Sequence, residues 1–157
     1  MEDNSSRIDV LLKMYDEHAQ QARQHETQRE RMSWIILAVS GVLVTFIANN
    51  GLQPNSLIAS ATLIVLGVYG WLFSLKHYEK NRLHTKIMKS FRDNLGGETG
   101  LDIDAIRAVG SNSHKDDYKK SPIKSWIWKC RLNHLWAGLP LLIAVLGLAL
   151  SVIIVAS

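Results

Sequence analysis

Residues 56–95, SLIASATLIVLGVYGWLFSLKHYEKNRLHTKIMKSFRDNL, decide the fold. They read as one long helix in two solvents. Residues 56–75 are 20 positions without a charged side chain, the length that crosses a hydrocarbon core of about 30 Å. No Pro or Gly stops the chain when it turns polar at Lys76-His77-Tyr78-Glu79-Lys80. Helix formers continue to Leu95, and Gly96-Gly97 are the expected stop. Forty helical residues span about 60 Å, twice the core. Half of this helix is therefore expected in lipid and half in the cytosol.

The charge pattern extends the reading. Mean hydropathy is near zero, but it averages two unlike halves. Runs 34–50, 56–75 and 135–157 contain no Lys, Arg, Asp or Glu; all 18 basic and 14 acidic residues lie outside them. Surface helices of a globular protein carry a polar face, so this segregation argues for three membrane spans. Residues 1–33 hold 5 basic side chains, 76–134 hold 13, and the turn at 51–55 and the C-terminus hold none. The positive-inside rule then places the N-terminus and 76–134 in the cytosol, and the turn and C-terminus outside. The start, Met1-Glu2-Asp3-Asn4-Ser5-Ser6, lacks the basic, apolar pattern of a signal peptide. Cys130 is the only cysteine, which excludes an intrachain disulfide. Its place beside the third span leaves palmitoylation open against an incidental small residue.

Around these spans the expected organisation is a cytosolic polar helix 5–33, a first span 34–50, an external turn 51–55, a second span 56–75 and its cytosolic extension 76–95. A cytosolic connector 96–125, an interfacial segment 126–134 and a third span 135–156 follow. Ile8, Leu11, Leu12, Tyr15 and Ala19 recur at helical spacing, and the polar run after them has no Gly or Pro, so the first helix is expected to enter its span unbroken. In the connector, Asp102 is the expected cap of a two-turn helix ended by Gly110. Pro122 is the expected start of the next element. Trp126, Trp128 and Trp136 with Lys124, Lys129 and Arg131 suit an interfacial approach. Pro140 is expected in the first turns of the third span, where a missing N–H costs little.

Each span carries a stripe of small or polar residues: Ala38, Gly41, Thr45 and Asn49 in the first; Ser56, Ser60, Gly67, Gly70 and Ser74 in the second; Ala144, Gly147 and Ser151 in the third. Small residues let helices approach closely in lipid. Two readings stay open: packing within the chain, or a stripe, most of all the first, that lines a pore between subunits of a ring. The absence of charge in the spans argues against an ion-coupled transporter and suits a pore gated by small and apolar side chains. On the cytosolic arm, Arg82, Lys86, Lys89 and Arg92 share one helix face. Region 76–134 has 13 basic against 7 acidic residues, and 1–33 has 5 against 7. The basic face either pairs with the acidic N-terminal helix or binds phosphate groups of a nucleotide, an oligonucleotide or lipid headgroups. His18/His25 and His77/His84 are each one heptad apart, and His25 and His84 are expected at one height. Solvated or hydrogen-bonded histidines are expected ahead of a proton sensor or a metal site, and no metal is predicted. No phosphate-cradling glycine loop, HExxH or nucleophile elbow occurs, so neither an enzyme nor a cofactor is expected.

Three stretches carry a family resemblance. The polar helix Leu11-Leu12-Lys13-Met14-Tyr15-Asp16-Glu17-His18 leads into Met32-Ser33-Trp34-Ile35-Ile36-Leu37-Ala38-Val39-Ser40-Gly41. The second span exits through Leu75-Lys76-His77-Tyr78-Glu79-Lys80-Asn81-Arg82-Leu83-His84, and the third enters through Leu132-Asn133-His134-Leu135-Trp136. In these and in topology the chain resembles small bacterial membrane effectors encoded beside nucleotidyltransferases in anti-phage defence, such as the transmembrane effector of the Hailong system. It is similar in architecture to the SLATT-type pore-forming effectors. The resemblance implies an oligomeric channel of the bacterial inner membrane that compromises the membrane during infection, under a nucleotide-derived signal and with a co-encoded nucleotidyltransferase as partner. It transfers no site residue.

The expectation is thus an all-α membrane protein with three transmembrane helices, a cytosolic helical hairpin extending the first two, and assembly as a symmetric homo-oligomer, a tetramer or larger ring. Its expected function is a gated pore. The pore-lining candidates are Ala38, Gly41, Thr45 and Asn49; the ligand-binding candidates are Arg82, Lys86, Lys89 and Arg92. The alternatives are a membrane scaffold that recruits a soluble partner and a pH-responsive homeostasis protein.

Overall fold

The computed structural model describes residues 2–119 and 132–156. Helix α1 spans Glu2–Asn50 without a break. A short 3-10 turn at Pro54–Ser56 leads into α2, Leu57–Thr99. Helix α3 spans Ile103–Lys119, and α4 spans Leu132–Ala156. Among the described residues there is no strand, and three helices are long and apolar enough to cross a membrane. Pro122, Lys124, Trp126, Trp128, Lys129, Cys130 and Arg131 lie outside the described residues.

Two helix ends differ from expectation. Helix α2 runs through Gly96-Gly97 and ends at Thr99, because the stop is Gly100, which adopts a left-handed φ of 69°. Gly96 has another use. A Cβ there would fall 3.1 Å from the Leu101 carbonyl oxygen, so its bare backbone lets the chain fold back onto the helix. Helix α3 is capped as expected, with Asp102 Oδ1 accepting from the Ala105 N–H at 2.8 Å, but it continues past Gly110 to Lys119. Gly110 has no positive φ; an interior glycine costs a helix only about 1 kcal/mol and does not by itself end one. Pro140 lies in the third turn of α4 as described, inside the helix. It is fully buried, and its ring fits against Gly70, where an added Cβ would lie 3.0 Å from Pro140 Cβ.

The chain divides into two compact units. In the first, Met1–Gln24 with Lys80–Arg131, α1 lies against α2. Arg7 pairs with Glu98 at 2.9 Å, and Asn81 donates to the Ala22 carbonyl at 3.1 Å. Helix α3 joins through Arg92 Nη2, which reaches Asp104 at 3.3 Å.

In the second unit, His25–Glu79 with Leu132–Ser157, the core is Ile36, Ile47, Ala59, Leu63 and Ile143, with Met32, Leu43, Val44 and Leu150 packed against it. The turn into α2 is made by Gly51 at φ 75°, with the Ser56 hydroxyl donating to the Gly51 carbonyl at 2.8 Å. Helices α2 and α4 meet nearly backbone to backbone. A Cβ on Gly67 would sit 2.6 Å from the Pro140 carbonyl oxygen, and one on Gly147 would sit 2.8 Å from that of Ser60. Between them the Ser151 hydroxyl donates to Ser60 Oγ at 2.8 Å, and Ser60 donates to the Leu57 carbonyl at 2.9 Å. In lipid, such close approach and polar pairing replace the hydrophobic drive that water would supply.

Candidate functional sites

The small-residue stripes divide into two kinds. Those of the second and third spans face each other: Ser56, Ser60, Ser74 and Ala144 are buried, and Gly67, Gly70 and Gly147 abut neighbouring helices. The first-span stripe is different. Helix α1 buries Ser33, Ile36, Ser40 and Ile47. At 3.6 residues per turn, Ala38, Gly41, Thr45 and Asn49 fall about half a turn away, and all four are exposed. A Cβ on Gly41 would meet nothing within 4 Å. The Thr45 hydroxyl returns to its own helix, donating to the Gly41 carbonyl at 2.9 Å. Packing among the described residues therefore accounts for two stripes and leaves the first facing outward.

In the first unit, α2 presents Lys86, Lys89 and Arg92 to a cavity of about 200 Å³. Tyr15 of α1 and Arg107 of α3 complete its wall, with Thr85 and Met88. Arg82 does not line it. Arg92 is the most constrained cation. Its side chain is only 19% exposed, and its Nη2 lies 3.3 Å from both Asp93 and Asp104. Its buried Nε has no partner among the described residues. Four cations face this space, and Asp104 offsets one of them. The volume is below the roughly 300–1,000 Å³ of a pocket that encloses a whole small molecule. It suits a phosphate group whose remaining substituents stay outside.

Arg107 and Tyr15 were not foreseen. The signal for Arg107 was present in outline: Gly100 and the Asp102 cap mark a tight reversal, which brings α3 back along α2. Asp104 then meets Arg92, and Arg107, one turn on, joins Lys86 and Lys89.

The histidines pair in a way spacing alone misjudged. His18 Nδ1 lies 3.0 Å from His84 Nδ1 in the first unit. His25 Nδ1 lies 3.2 Å from His77 Nδ1 in the second. His25 thus pairs with His77, and His18 with His84, whereas heptad spacing alone set His25 level with His84. A distance near 3 Å between two ring nitrogens requires a shared proton, with one ring donating and the other accepting. Phe73 packs on His77 at 4.1 Å between ring centroids. Burial, and then the Arg29 charge, push the His77 pKa down. Among the described residues no group of three or more His, Cys, Asp or Glu side chains is placed to hold a metal.

A further feature escaped the sequence reading. Arg29 is buried, at 4% exposure. Its guanidinium carbon lies 5.9 Å from the Tyr78 ring centroid and 5.8 Å from that of Trp136. Burial lowers its pKa, with Glu26 and Tyr78 opposing. One cation thereby ties α1 to α2 and α4.

Comparison with known protein families, curated proteins and solved structures finds no match to this chain. What the fold defines is a class: a helical protein with three segments able to cross a membrane.

Proposed function

We propose that this protein is a pore-forming membrane effector. In this reading several copies form a symmetric ring, α1 and α2 extend as a helical hairpin into the cytosol, and a phosphate-bearing signal on those arms controls the pore. The observation that carries the reading is the first-span stripe. Ala38, Gly41, Thr45 and Asn49 are exposed on the face opposite the core, where a second copy can approach closely and a water path can form between copies. The basic cavity of Lys86, Lys89, Arg92 and Arg107 supports control by a nucleotide or short oligonucleotide, because it takes a phosphate and leaves the rest of a larger ligand outside. The setting is a bacterial inner membrane during phage infection, with a co-encoded nucleotidyltransferase as the source of the signal. Family resemblance alone supports that setting.

The test is flux of a small ion from liposomes holding purified protein. Thr45→Val should change the flux more than Val44→Thr, since Val44 packs against the core. Equal effects would show that the stripe lines nothing. In parallel, Lys86→Gln with Lys89→Gln should weaken binding of a short oligonucleotide and flatten its salt dependence by about one unit of slope per lost phosphate contact.

The facing histidine pairs support a second reading, a pH-responsive membrane protein. Both pairs join α1 to α2 through a shared proton, and a proton taken up by His77, which burial and Arg29 hold toward its neutral form, would leave no acceptor in its pair. Flux that follows pH without any ligand would favour it.

A further inference from the structure

In the second unit, Gln28, Arg31, Met32, Ile35, Phe73 and His77 line a groove of about 320 Å³ between α1 and α2. Its position along the sequence is telling. On α1 the charges end at Arg31, and on α2 they resume at Lys76. Gln28, Arg31 and His77 lie on the charged side of that border. Met32, Ile35 and Phe73 lie on the uncharged side. The groove is therefore amphiphilic along its length. Trp34, next to it on α1, is 61% exposed, as an aromatic anchor at a headgroup layer is.

Its charge is one-sided. Among the described residues no carboxylate lines it. His77 is held toward its neutral form by burial and by Arg29, so Arg31 supplies the cation. Arg31 is exposed, and a guanidinium offers a planar fork that matches two phosphate oxygens.

We propose that this groove is a binding site for an anionic phospholipid of the inner leaflet. The phosphate sits on Arg31, with Gln28 as a second donor, and an acyl chain lies along Met32, Ile35 and Phe73. The proposal rests on the membrane reading of the three apolar helices. Through His77 it places a lipid beside the His25–His77 contact between α1 and α2.

The experiment reconstitutes the full chain in phosphatidylcholine vesicles with traces of spin-labelled phosphatidylglycerol or spin-labelled phosphatidylcholine. The immobilised fraction of each is then compared. Wild type should prefer phosphatidylglycerol by about fivefold, the factor expected for one Arg near the surface. Arg31→Gln should remove the preference, Arg31→Lys should keep most of it, and Phe73→Ala should weaken retention of both lipids. Soluble glycerophosphate should not compete. No preference in wild type, an unchanged preference in Arg31→Gln, or competition by glycerophosphate would each overturn the proposal. A prior alkaline wash of membranes separates the two failures. Protein released by the wash defeats the membrane reading itself; protein retained but unselective defeats only the lipid site.

Discussion

Arg29 shows how much one side chain joins at the edge of a span. It is buried, and its guanidinium carbon lies within about 6 Å of the ring centroids of both Tyr78 and Trp136. Desolvated cation–π contacts contribute about 2 kcal/mol, and Lys does not reproduce a flat guanidinium between rings. Arg29→Lys should therefore lower the melting temperature in detergent by several degrees, and an unchanged melt would show the stacking to be idle. His77 makes a pH prediction. Its pKa is lowered from 6.5 in the fold by burial and by Arg29, so the unfolded chain takes up its proton first as pH falls. The stability it contributes is present above pH 6.5 and is lost below that value as pH falls through the folded pKa. Between pH 7.5 and 5, His77→Gln should lose less stability than wild type, as read by denaturation at each pH. Parallel losses would assign the effect elsewhere. None of this was legible from spacing. A lone Arg at a membrane border reads as a topology signal, and the histidine partners depend on a register that only packing fixes.

At the scale of elements, glycine separates packing from assembly. Gly67 admits no side chain, because a Cβ there would lie 2.6 Å from the Pro140 carbonyl oxygen. Gly41 meets nothing within 4 Å. Gly67→Ala should thus destabilise the chain by about 1–3 kcal/mol, the range for overpacking. Gly41→Ala should instead hold or slightly raise the melt of the isolated chain, since Ala is favoured over Gly in a helix interior by about 1 kcal/mol and nothing blocks its Cβ. Matching losses would place both glycines at the same kind of contact. The long helices and their apolar segments were readable, since an uncharged run of 20 residues followed by helix formers allows few other structures. The helix ends were less so. Gly96, Gly97, Gly100 and Gly110 look alike in sequence, and only Gly100 takes the left-handed conformation that stops a helix. The basic face was half legible: Lys86, Lys89 and Arg92 follow from helical spacing, but Arg107 arrives through the fold-back of α3.

For the whole molecule, the question is what covers the spans. Among the described residues, only 22%, 33% and 28% of their apolar windows are buried, which leaves wide apolar faces open to lipid or to further copies. Lipid would cover Ile58, Val65 and Leu142 well, since they are large, apolar and exposed. It would cover Gly41, Thr45 and Asn49 less well, and close contact with another copy suits that face better. Cys130 is the only cysteine, so a Cys130→Ser background permits single-cysteine cross-linking in native membranes with a short bifunctional maleimide. Covalent dimers and higher species are expected for Gly41→Cys and Thr45→Cys, and none for Ile47→Cys, which points into the core of its own chain. Monomers only at Gly41 and Thr45, or equal yields at all three positions, would contradict assembly through that face.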